Sequence, residues 1–267
     1  MFYSELKPSY LLANAVRKYW FLEGLVDSDV KHVERILPDG CTELIIHYGK
    51  PFRIVNEDRP VLQETAFVFG QLQRFIDLLP ANHIGVMGVR FHPWGLNQFI
   101  RIPSAELRGE AISLKNLFGD SQQKPVDEIF QANNSTERAV IMDEFLISRY
   151  HHKINNDKLS GLINQIHQHK GSLSVDELTR LSGNSERQLE RTFHAGIGLS
   201  PKAYSRIIRF QNSLRLASLA RNLTDLALNA GYYDQAHFTR EFTDIAGQAP
   251  RSYFKGENGM NNLLMET

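Results

Sequence analysis

Between Leu173 and Phe254 the chain carries one small motif twice, so any fold for it must hold two copies of the same helical pair. In the first copy, Leu173-Ser-Val-Asp-Glu-Leu178 reads as a helix start. Ser174 is the N-cap, Glu177 answers it in a capping box, and Leu173 staples to Leu178. Leu178 and Leu181 supply the buried side, and Gly183 ends the helix in the left-handed conformation that glycine adopts at little cost. Ser185 caps a second helix with Gln188 at the capping-box position, and Leu189 and Phe193 fall on one face. Two short helices joined by a tight turn containing Gly form a helix-turn-helix. The second copy repeats this order with Leu223-Thr-Asp-Leu-Ala-Leu228, Gly231, Asp234 as cap, then Phe238 and Phe242. Leu178 matches Leu226 and Gly183 matches Gly231 at an offset of 48. Leu189, Phe193, Gly198, Pro201 and Tyr204 match Phe238, Phe242, Gly247, Pro250 and Tyr253 at an offset of 49, which places one inserted residue in the second turn.

Ser200 and Pro201 open the segment between the copies, with Pro at the first helical position where its missing N–H does no harm. The run to Ala220 predicts a helix of roughly 20 residues, roughly 30 Å long, against a spacing of about 34 Å between adjacent major grooves on one face of B-DNA. A linker of that reach holds two recognition helices in successive grooves. One chain then does what other helix-turn-helix proteins need two for.

The pattern Ser-x-x-x-Leu-x-Arg-x-Phe-x-x-x-x-Gly-x-x-Pro, the later Gly-Tyr-Tyr-Asp-Gln-Ala-His-Phe-Thr-Arg-Glu-Phe and the closing Gly247-x-x-Pro250-x-x-Tyr253 resemble the DNA-binding domain of the AraC/XylS family of bacterial transcription regulators. The resemblance covers about a hundred residues, from Asp157 to Gly256. It implies double-stranded DNA and RNA polymerase as partners, and it implies which residues reach base edges. On the first recognition helix these are Ser185, Arg187, Gln188, Glu190 and Arg191; on the second they are Gln235, Ala236, Thr239 and Arg240. The chemistry agrees: Arg pairs bidentately with guanine, Gln with adenine, Glu accepts from cytosine, and Ala packs on a thymine methyl. The alternative is that some of these arginines meet phosphate or protein instead. His237, aligned with Gln188, can equally pack within its own domain. Lys202 and Arg251, beside the two Gly-x-x-Pro tails, are candidate phosphate contacts, as are the backbone amides at Ser174, Ser200 and Asp234.

A formal net charge of zero hides an uneven distribution. Residues 157–256 hold 13 Lys and Arg against 9 Asp and Glu, whereas residues 1–156 hold 17 against 19. Positive charge lies where nucleic acid is expected, although an excess of four would also suit an ordinary solvated surface. The duplicated motif decides the matter.

Ahead of the motif the chain reads as short strands. After a polar lead from Tyr10 that can form a helix, strands are predicted at Val16–Glu23, Glu43–Tyr48, Phe52–Val55, Ala66–Gln71, Arg74–Leu79 and Ile84–Phe91, with Pro38-Asp39-Gly40 as a tight turn. No helical crossovers separate them, which favours an antiparallel barrel or sandwich. Helix follows: a short amphipathic turn at Trp94–Ile100, then Asp127–Ala132 and Thr136–Tyr150, the last with an apolar stripe of Val140, Ile141, Phe145 and Leu146. Such a stripe packs on its own domain; a second reading pairs it with its twin in a homodimer, although two readers per chain remove the usual need for one. The polar run His151–Asp157 marks a boundary. The expected fold class is therefore α+β. Residues 1–155 form an antiparallel β-barrel domain with trailing helices, residues 156–256 an all-α double helix-turn-helix joined by a long helix, and residues 257–267 a flexible tail.

Tyr19-Trp20, Leu37–Leu44, Phe69-Gly-Gln71 and Gly88–Gly95 resemble an uncharacterised amino-terminal domain found ahead of AraC-type readers. The family's sensory domains are often cupin-like barrels, which implies a small-molecule effector, unnamed by the residues.

Enzymatic chemistry finds little support. The chain has no Gly-rich phosphate loop, nucleophile elbow or His-Glu-x-x-His. The single Cys41 permits no internal disulfide and no multi-cysteine zinc site, which fits a reducing cytoplasm. His32, His47, His83 and His92 lack the spacing of a local ligand motif. No metal and no cofactor are expected, nor any membrane contact, since no apolar run approaches spanning length and no leader pattern opens the chain. The enzyme alternative is a DNA-repair alkyl acceptor using Cys41, for which a buried structural thiol is the competing reading.

Overall fold

The computed structural model describes residues 1–26, 33–55, 59–150 and 157–255. The expected boundary at 151–156, the tail and His32 lie outside them. Among the described residues ten strands come first: β1 (Phe2–Leu6), β2 (Val16–Leu25), β3 (Glu34–Ile36), β4 (Glu43–His47), β5 (Arg53–Ile54), β6 (Val61–Leu62), β7 (Ala66–Phe69), β8 (Ile76–Leu79), β9 (His83–Phe91) and β10 (Ala111–Ser113). Three helices follow, α1 (Leu114–Phe118), α2 (Gln123–Gln131) and α3 (Ser135–Ile147). The second half holds α4 (Asp157–Gln168), α5 (Val175–Ser182), α6 (Glu186–Ile197), α7 (Pro201–Leu216), α8 (Leu223–Asn229), α9 (Gln235–Ala246) and α10 (Pro250–Tyr253). The fold class is α+β, with antiparallel sheets first and helices after. Contacts divide the chain into two units: unit 2 gathers Arg35–Gly40 and Gln71–Phe75 with the chain from α4 onward, and unit 1 takes the rest.

Unit 1 is built on an antiparallel six-stranded sheet in the order β1-β2-β9-β4-β7-β10; a smaller sheet has the order β3-β8-β5-β6. Register explains why β2 and β9 read as near-continuous apolar runs: both of their faces are covered. Tyr19, Phe21, Leu44, Ile46, Met87, Val89 and Phe91 alternate onto one face and join the core with Met142, Phe145 and Leu146 of α3. The opposite face carries Lys18, Trp20, Glu43, Ile45, His47, Gly88 and Arg90 in adjacent registers. Gly88 has a specific task there. A Cβ on it would stand 2.0 Å from Trp20 Cε2, so only glycine lets the indole lie against the strand. The indole N–H then donates to Glu43 Oε1 at 3.1 Å, which also accepts from Arg90 Nε at 2.8 Å.

Some expectations shift. Tyr10 to Ala15 form turns, not a helix, and seat Leu12 and Ala15 in the core. The stripe of α3 that packs is Ala139, Met142, Phe145 and Leu146, with Ile141 half-covered; Val140 points outward and is 52% exposed. The strands β1, β3, β6 and β10 and the helix α1 carry no strong periodicity and are found only in the fold.

In unit 2, Phe210, Leu226, Phe238, Phe242, Ile245 and Tyr253 form one aromatic-rich core, and Leu37 from the early segment lies within it. The helix α7 has 16 residues, about 24 Å, because Ala217 to Leu219 continue as turns; the expected helix was longer.

His47 gives unit 1 a measurable pH response. It is 1% exposed between Phe52 and Phe67, with Nε2 3.0 Å from Gln63 Oε1 and Nδ1 without a partner. Burial lowers its pKa from 6.5 to about 4. The unfolded chain therefore binds the proton first, and stability falls as pH drops from about 6.5 toward about 4, at about 1.4 kcal/mol per pH unit. Thermal melting across this window should show that slope in the wild type and a flatter one in His47→Phe; parallel slopes would refute the assignment.

Candidate nucleic-acid interface

Both helix-turn-helix motifs form as their caps dictate. At α5, Ser174 Oγ accepts the Glu177 N–H at 3.2 Å and Glu177 Oε2 accepts the Ser174 N–H at 2.8 Å. That exposed carboxyl is held below its usual pKa first by the Ser174 backbone bond, then by the Ser174 hydroxyl. Gly183 follows in the left-handed conformation at φ 64°. At α6 the same box recurs with Ser185 and Gln188, at 3.3 and 3.0 Å. In the second motif Asn222 caps α8 by accepting the Asp225 N–H at 2.9 Å, Gly231 takes φ 90° at the turn, and Asp234 caps α9 by accepting the His237 N–H at 2.6 Å. Leu181, expected inside, is 54% exposed: α5 is only eight residues long and Leu178 fills its inward side.

Burial of alternate turns decides which faces remain outside. Leu189, Phe193 and Ile197 of α6 and Phe238, Phe242 and Ile245 of α9 are all buried. This leaves Ser185, Arg187, Gln188 and Arg191 exposed on α6, and Gln235, Ala236 and Arg240 exposed on α9; Glu190 and Thr239 are half-buried. Lys202 at the start of α7 and Arg251 on α10 are exposed as well. Every residue singled out by resemblance thus stands at or near the surface of unit 2.

Several have protein partners in the absence of DNA. Gln188 Oε1 holds the Ser185 cap, Glu190 Oε2 lies 3.4 Å from His194 Nε2, and Gln235 Oε1 accepts the Thr224 hydroxyl at 2.6 Å. His237 takes the packing role: it pairs with Glu241 at 3.3 Å and meets the Tyr232 ring edge-on. The cap side chains at Ser174, Ser200 and Asp234 already occupy one amide of each helix start.

The inward acids of α9 are spoken for. Glu241 accepts from Arg209 Nη2 at 2.9 Å and lies 3.5 Å from Arg206, and Asp244 is bound by Arg206 and Arg74. The Arg206 bond, then Arg74, hold the Asp244 carboxyl below the usual aspartate range. Two acids of α9 are therefore tied to α7, while Arg187, Arg191, Arg240 and Arg251 face out. Pattern reasoning overlooked Tyr233, which is 86% exposed in the turn just before the Asp234 cap. The signal was there: of the doubled Tyr232-Tyr233, only Tyr232 is needed inside, where burial raises its hydroxyl pKa.

Cys41 is half-buried and in no disulfide. Among the described residues no three His, Cys, Asp or Glu side chains group as metal ligands, and no helix is long and apolar enough to cross a membrane.

Two exposed faces on capped helices, joined by one linker helix, define a double helix-turn-helix. Residues 178–256 match a helix-turn-helix domain family, and residues 4–113 match a domain of unknown function (DUF6597). A relative named only as an uncharacterised helix-turn-helix-type transcriptional regulator, from Staphylococcus aureus, is 30% identical over 102 residues, 38% of this chain and 14% of that protein. The F1 operon positive regulatory protein of Yersinia pestis is 31% identical over 102 residues, 35% of this chain and 34% of the relative. The chain thus spans about a third or less of these relatives' length. The solved structure of ToxT from Vibrio cholerae aligns over 88% of this chain and 97% of its own, with 12% identity and a TM-score of 0.47. Residues 178–256 thus form a helix-turn-helix domain of the AraC type, preceded by the DUF6597 domain.

The caps should be felt energetically. Ser185→Ala removes one of the two reciprocal bonds and should cost about 1 kcal/mol of stability in urea unfolding; an unchanged midpoint would show that the box at α6 is not formed.

Proposed function

We propose that this protein regulates transcription by reading duplex DNA with both recognition helices of one chain, under control of a small-molecule effector acting on unit 1. The observation that carries the reading is the outward placement of Arg187, Arg191 and Arg240 on helices whose opposite faces are buried. Arg191 and Arg240 occupy equivalent positions in the two motifs, at the offset of 49. Base-edge contacts fall to Ser185, Arg187, Gln188, Glu190 and Arg191 in one half-site and to Gln235, Ala236, Thr239 and Arg240 in the other, with Lys202 and Arg251 on phosphate. The partners in this reading are double-stranded DNA, RNA polymerase and the effector. The Yersinia relative, named a positive regulator, supports activation as the sign of control. The protein acts without cofactor and without a catalytic step; Cys41 takes no part.

Selection of bound fragments from genomic DNA by the purified full chain tests this. An enriched site with two short half-motifs about one helical turn apart is expected, lost in an Arg191→Ala, Arg240→Ala double variant. Each arginine that meets phosphate contributes about one unit to the slope of log affinity against log salt. Sequence-blind binding by wild type and variant alike would overturn the proposal.

A further inference from the structure

The second recognition helix is finished by residues from far earlier in the chain. Within unit 2, the Phe75 N–H donates to Ile245 O at 2.9 Å and Arg35 Nη1 donates to Ala246 O at 2.9 Å. These are two of the last carbonyls of α9, which no residue of the helix itself can satisfy. A guanidinium at that end also suits the negative pole of the helix. The Arg35 guanidinium lies over the Phe75 ring, with Cζ 3.9 Å from its centroid. The Phe75 ring in turn fills the space beside Gly247, where a Cβ would stand 2.1 Å from Cε1. Arg74 binds Asp244 in the same last turn of α9. The neighbouring early segment is fixed independently: Gln211 of α7 donates to Pro38 O at 2.6 Å, Gln71 donates to Gly40 O at 2.9 Å, and Leu37 is buried in the reader's own core.

We propose that Arg35, Arg74 and Phe75 are positioning residues of the second reader, fixing the end of α9 and thereby the angle at which Gln235, Ala236 and Arg240 meet DNA. The proposal rests on the DNA-reading assignment above. Leverage makes the effect large. A 12-residue helix is about 18 Å long, so a tilt of about 10° at one end moves the other by about 3 Å, a full hydrogen-bond length. Base contacts at the start of α9 tolerate no such displacement, whereas those of α6 are untouched by it.

The test uses the full chain and a duplex carrying both selected half-sites, with protection of each read separately by hydroxyl-radical footprinting. Arg35→Ala and Phe75→Ala should weaken protection of the α9 half-site about tenfold and leave the α6 half-site as in the wild type; Arg35→Lys should recover part of the loss. Arg191→Ala should give the reverse pattern. Equal loss at both half-sites, or wild-type protection of both, would overturn the proposal. Hydrogen exchange of the wild type serves where a variant does not fold: the Phe75 amide should be protected and become slower still on DNA, and exchange at the open-chain rate in both states would likewise overturn it. A wild type that selects no sequence refutes the DNA-reading assignment instead, while Phe75 protection continues to report on the end of α9.

Discussion

Each recognition helix is pinned by two large side chains one turn apart, and the reading face of this protein follows from that constraint. With Leu189 and Phe193 buried, α6 cannot rotate about its axis without exposing one of them; Phe238 and Phe242 hold α9 in the same way. The cost of such exposure, about 1.5–3 kcal/mol per side chain, far exceeds the worth of a surface ion pair. The arginines therefore follow the hydrophobic anchors. Arg187, Arg191 and Arg240 face solvent because the other side of each helix has no freedom to turn.

Electrostatics then refines what packing has set. On α7, Arg206 and Arg209 point at α9 and take up Glu241 and Asp244, so these two acids are matched within the unit and the outward arginines of α6 and α9 are left to face solvent. Unit 1 uses polar groups differently. Glu43 joins Trp20 and Arg90 on one sheet face, and the fit depends on the missing side chain at Gly88.

The local signals were legible because capping chemistry acts within four residues. Ser174 with Glu177, Ser185 with Gln188, and the left-handed glycines at 183, 198 and 247 all sit where the letters place them. The strands from Val16, Glu43, Ala66 and His83 were equally readable, being long enough for composition to declare them. Long-range partners were not. Nothing in Arg35 or Phe75 announces that their donors would meet carbonyls some 170 to 210 residues on, and nothing marks Leu37 as part of that later core. Short strands such as β3 and β6 were invisible because two or three residues carry no period. The surface exposure of most residues singled out by resemblance was legible from the buried anchors opposite them; the bond between Gln235 and Thr224 and the exposure of Tyr233 needed coordinates.

One chain carrying two reading helices is the central claim, and stoichiometry on DNA tests it most directly. Sedimentation of the protein with a duplex bearing both selected half-sites should give one chain per duplex, with both half-sites protected in that complex. Two chains per duplex, each protecting a single half-site, would contradict it.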